Sequence, residues 1–80
     1  MKKNTVKSNL NILIKTYYIT LKEIENRSAS KEVKINELRK LSDQLEGTVA
    51  VIQHTGSYIE ELSLLLDIRR ESYSILQKFL

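Results

Sequence analysis

The sequence predicts an all-α protein, a helical hairpin or three-helix arrangement with coiled-coil-like packing that oligomerises. Three observations carry this. The 80 residues include no proline and only two glycines, so little in the chain interrupts a helix. Apolar residues recur at three- and four-residue steps over three successive stretches. A hydrophobic content of 41% with 29% charged residues is too apolar for simple disorder, and a chain this short holds one domain.

The first helix is expected at about residues 5–26, where Val6, Leu10, Leu13, Ile14, Tyr17, Leu21 and Ile24 fall on one face. Between Ile12 and Thr20 the β-branched and aromatic residues would also suit a strand, but a lone strand has no sheet to join. A break follows at 26–30, where Ser28 or Ser30 caps the next helix and Glu32 enters its first turn. That second helix, about 31–53, places Ile35, Leu38, Leu41, Leu45, Val49 and Ile52 on its stripe. Gly47 sits inside it at a cost of about 1 kcal/mol relative to alanine, marking either close approach of another helix or a tolerated defect.

A third helix is expected at about 57–79, since Ser57 and Glu60 have the spacing of a capping box ahead of an apolar run. A second architecture competes with it. The heptad-like series Leu38, Leu41, Leu45, Thr48, Ile52, Thr55, Ile59, Leu62, Leu66, Arg69, Tyr73, Leu76, Leu80 runs through residues 54–57 in phase. It would make residues from about 31 to 80 one continuous helix, about 75 Å long, which demands oligomerisation. The last stretch is the most apolar. Ile59, Leu62, Leu65, Leu66, Tyr73, Leu76 and Phe79 are the expected partner interface, with Leu64, Ile68 and Ile75 off that face. Leu10, Leu13, Tyr17, Leu21, Leu38, Leu41, Leu45 and Ile52 are the expected intrachain core.

Chemistry is sparse. Without cysteine and with a single histidine, His54, the chain has no disulfide, no thiolate ligand and no imidazole pair, so neither metal nor cofactor is expected. His54, Ser57 and Asp43 or Glu60 supply the residue types of a Ser-His-acid set, but no nucleophile elbow or glycine-rich oxyanion loop accompanies them. Glu23/Glu25 and Glu60/Glu61 lack the helical spacing that would bring two carboxylates together. No enzymatic activity is expected.

The formal net charge of +3 divides into +5 over residues 1–22, +1 over 23–40 and −3 over 41–80. The basic head carries five spaced lysines and no arginine, unlike the dense basic face of a nucleic-acid reader. Pairing of this helix with an acidic later helix, in the same chain or a neighbour, is the favoured account, ahead of nucleic acid or an anionic membrane surface. No run approaches the length of a membrane span and no signal-peptide pattern is complete, so a cytoplasmic location, or export without a cleavable signal peptide, is expected.

Two short stretches resemble known families. Arg39-Lys40-Leu41-Ser42-Asp43-Gln44-Leu45 resembles the opening of the small helical-hairpin inhibitors of sporulation histidine kinases, which implies a helix docked on an enzyme. The closing Ser74-Ile75-Leu76-Gln77-Lys78-Phe79, with the length and hairpin pattern, is similar to needle subunits of type III secretion systems, which implies a filament subunit. The chain departs from the first in the spacing to its next helix, and from the second in lacking a proline-and-asparagine turn. The expected function is a non-enzymatic protein–protein interaction module, a small coiled-coil subunit or adaptor of a larger helical assembly, in a homo-oligomer or a hetero-complex. The alternative is a small helical regulator or inhibitor, chaperone-like, antikinase-like or antitoxin-like, that docks a helix on a target protein.

Overall fold

Two short polar segments divide the chain into three helices. The computed structural model describes residues 2–80, with side chains from Thr5 onward, and places α1 at Lys2–Asn26, α2 at Lys31–Thr55 and α3 at Ile59–Phe79. No strand occurs among the described residues. α2 begins behind Ser30, whose backbone is extended and whose Oγ accepts the amide of Val33 at 3.3 Å. Glu32 then sits in the first turn, where the helix dipole favours a carboxylate.

The continuous helix over 31–80 is not formed. Gly56 ends α2 with a left-handed backbone (φ 69°), and its amide donates to the Gln53 carbonyl at 3.3 Å. Two residues on, Tyr58 is also left-handed (φ 58°), and it, rather than Ser57, immediately precedes α3. The Ser57–Glu60 capping box is therefore absent. The Ser57 amide donates instead to Thr55 Oγ1 at 3.3 Å. Two left-handed residues within three positions reverse the chain and fold α3 back on α2. A tyrosine in that region costs about 1–2 kcal/mol, which the packing of its half-buried side chain against the core offsets.

Cross-helix pairs fix the directions. Lys7–Glu61, Lys22–Glu71 and Glu25–Lys78 climb α1 and α3 together, so these two helices run parallel. From Tyr17 in α1, paired with Thr48, to Arg27 just past its end, paired with Glu37, the partners descend α2, so α2 is antiparallel to both.

Leu21, Leu38, Leu45 and Leu65 are fully enclosed. Around them α1 buries Leu10, Ile14, Tyr17 and Ile24, α2 buries Leu41, Val49 and Ile52, and α3 buries Ile68 and Ile75. The phase of α3 differs from the heptad reading. Its buried row is Glu61, Leu65, Ile68, Ser72 and Ile75, each one residue ahead of Leu62, Leu66, Arg69, Tyr73 and Leu76. α3 packs against both other helices, so the middle of its buried arc falls between its two apolar faces rather than on one of them. One face meets α2 and the other meets α1 of the same chain.

A polar bond sits inside the α2/α3 seam. Ser42 and Ser72, both buried, share a hydrogen bond of 2.9 Å. Removing one hydroxyl leaves the other short of its partner. Ser72→Ala and Ser42→Ala should therefore each destabilise by about 1 kcal/mol in urea titrations, while the double alanine variant should lose less than the sum, revealing the coupling.

The two glycines give opposite expectations. A Cβ at Gly47 would meet nothing within 4 Å, so no helix of this chain approaches it, whereas Gly56 requires its positive φ. Gly47→Ala should stabilise by about 0.5–1 kcal/mol and Gly56→Ala should destabilise by about 1–2 kcal/mol in the same titration.

Candidate interaction surface

The residues expected in the core are almost all inside. Leu10, Tyr17, Leu21, Leu38, Leu41, Leu45 and Ile52 are buried, while Leu13 is 37% exposed at the lip between α1 and α2. The residues expected at a partner interface are dispersed. Leu65 is fully enclosed in the chain's own core, and Leu62, Leu66, Leu76 and Phe79 pack half-buried against that core. Ile59 is exposed, and Tyr73 is exposed but engaged, its hydroxyl donating to Glu46 Oε1 at 2.9 Å beside Arg69 Nη1 at 3.2 Å.

Exposed apolar side chains concentrate instead on α1. Val6, Ile12, Leu13, Tyr18 and Ile19 all lie open, joined by Val51 from α2 and Leu64 from α3. This distribution follows from the Ile12–Thr20 stretch, whose apolar residues surround the helix rather than keeping to one stripe. α1 therefore has a groove on each flank. Toward α2, Leu10, Leu13, Tyr17, Thr48, Val51 and Ile52 border a groove of about 510 Å³ with Gly47 on its α2 wall. Toward α3, Ile14, Tyr18, Leu64 and Ile68 border a groove of about 300 Å³, with Lys15 on the α1 side and Asp67 and Glu71 on the α3 side.

Polar contacts stiffen both flanks. The Tyr17 hydroxyl and Thr48 Oγ1 lie 2.8 Å apart, and the Thr48 hydroxyl also donates to the Gln44 carbonyl at 3.1 Å. On the other flank Lys22 Nζ donates to Glu71 Oε1 at 2.5 Å and lies 5.5 Å from the Tyr18 ring centre. Near the shared end of α1 and α3, Lys34 Nζ donates to the Glu25 carbonyl at 3.1 Å and sits 5.1 Å from the centre of the Phe79 ring. At the start of α3, the buried Glu61 carboxylate lies 3.8 Å from Lys7 Nζ.

His54 is exposed in the last turn of α2, and no hydrogen bond among the described residues joins it to Ser57, Asp43 or Glu60. No group of three or more His, Asp or Glu among the described residues is arranged to hold a metal ion. No helix is long and apolar enough to cross a membrane. What the geometry offers is a three-helix body with apolar grooves on both sides of one helix. No family model, curated protein or solved structure matches the chain.

Two side-chain contacts, Tyr73 with Glu46 between α3 and α2 and Lys22 with Glu71 between α1 and α3, titrate in alkali. The hydrogen bond to Glu46 raises the Tyr73 pKa above its ordinary value, and the bond to Glu71 raises that of Lys22. Both groups bind their protons more tightly folded than unfolded, so the stability they contribute is whole below about pH 10 and is lost as pH rises through the folded values. Urea midpoints should hold up to about pH 10 and fall as pH rises beyond it, and Tyr73→Phe with Lys22→Met should flatten that fall.

Proposed function

We propose that this chain is a non-enzymatic protein–protein interaction module, a small helical subunit or adaptor of a larger assembly. The observation that carries the reading is the exposure of Ile12, Ile19, Tyr18, Leu13, Val51 and Leu64 around α1, next to a core already closed by the inner faces of all three helices. Apolar surface rimmed by charge is the usual mark of a protein interface, and a domain of 9.3 kDa gains more from covering it than a large one does. The paucity of catalytic constellations and the solid helical core favour this reading over an enzyme.

The module acts by presenting α1, held at a fixed angle by α2 and α3, as a ridge for partner helices in its two flanking grooves. Assembly through helix faces suits both a homo-oligomer and a hetero-complex.

Site-specific photocrosslinking tests this. Benzoylphenylalanine in place of Ile19 or Val51 should give adducts of defined mass in cells that naturally express the chain, while the same label in place of the exposed Arg39 should give none. If Ile19 and Val51 yield no adduct and the purified chain stays monomeric at every concentration reached, the module reading falls.

A further inference from the structure

Resting on that reading and deepening it, we infer that the α1/α3 flank binds a second copy of this chain, through a twofold axis running along the helices. The groove there and the neighbouring depression beside Ile19 and Lys22 share Tyr18. A single apolar surface therefore extends from Leu64 on α3 across Tyr18 to Ile19 on α1, with all three side chains about half exposed.

The charges on this surface select the occupant. On the α1 side stand Lys15 and Lys22, with Glu23 beyond them, and on the α3 side Asp67 and Glu71. Lys22 and Glu71 neutralise each other across the groove. Lys15 and Asp67 line the same groove, yet among the described residues neither makes an ion pair or a hydrogen bond. One unused cation and one unused anion at the same height on adjacent helices form a self-complementary pattern.

Geometry then fixes the arrangement. α1 and α3 run parallel, so rotation about an axis along the helices lays α1 of one copy over α3 of the other without shifting their heights. Lys15 of each copy then meets Asp67 of the other, twice per dimer, and the Tyr18 and Leu64 side chains of both copies close over the middle. An axis across the helices would set Lys15 against Lys15 and Asp67 against Asp67, which like charges oppose.

Charge exchange tests the arrangement on the full chain. Sedimentation equilibrium of the native protein should give twice the chain mass, with self-association weakening as salt is added. Lys15→Asp and Asp67→Lys should each raise the dissociation constant at least about tenfold by placing like charges across the axis. Mixing the two single variants should restore a one-to-one dimer, because every cross-axis contact then pairs opposite charges. The double exchange in one chain should also restore self-association. Both positions are exposed, so helical content by circular dichroism should match the native chain in every variant. A native chain that is monomeric throughout, or a dimer that neither single variant weakens, overturns the inference. If a monomeric chain still crosslinks through Ile19 to a different polypeptide, the twofold dimer is wrong and the module reading stands.

Discussion

The mutual burial of Leu21, Leu38, Leu45 and Leu65 is the constraint from which the remaining structure follows. Each helix contributes to this enclosed set, and removal of any one helix exposes the others' share. Enclosing such a side chain contributes about 1.5–3 kcal/mol, while ordering each residue costs about 1–2 kcal/mol of backbone entropy. Helices of 21 to 25 residues are therefore long enough to persist only while packed together. The turns serve this packing: Gly56 and Tyr58 accept left-handed backbone so that α3 returns to pack against α2.

Helix existence was legible because apolar spacing in α1 and α2 is regular and proline is absent. The Ser30 cap was legible as one of two serines, chosen in the structure by where α2 actually begins. The phase of α3 was harder to read because two of its buried positions are Glu61 and Ser72, while Ile59, Leu64 and Tyr73 lie outside. A hydrophobicity pattern scores such a helix one residue off. The in-phase heptads across residues 54–57 misled for a related reason: periodicity records which faces are apolar and carries no information on a left-handed pair that reverses the chain. For the candidate surface, the crowding of apolar residues between Ile12 and Thr20 was the available signal. It pointed at first to a strand alternative, and its meaning as a second exposed face of α1 needed the position of the other helices.

The charge distribution follows from the same geometry. The basic head and acidic tail meet within the chain, through Lys7 with Glu61 and Lys22 with Glu71. The side chains of Lys2 and Lys3, part of that basic head, lie outside the described residues. Such pairs contribute little individually at the surface. Their effect here is positional, since each ties α1 to α3 at a given height and so sets the parallel register of the two helices. Glu61 differs in being buried, at the first turn of α3, where the helix dipole favours its negative charge.

An odd number of helices has an electrical consequence of its own. Two helices point one way and one the other, so α2 cancels the macrodipole of only one neighbour and about half an elementary charge of each sign is left at opposite ends. Glu60 and Glu61 stand at the positive end and Lys78 at the negative end, each opposing the residual field. The bundle is thus polar along its 44 Å length. A symmetric pair of antiparallel helices would have no such head and tail; this three-helix body has a permanent sense of direction.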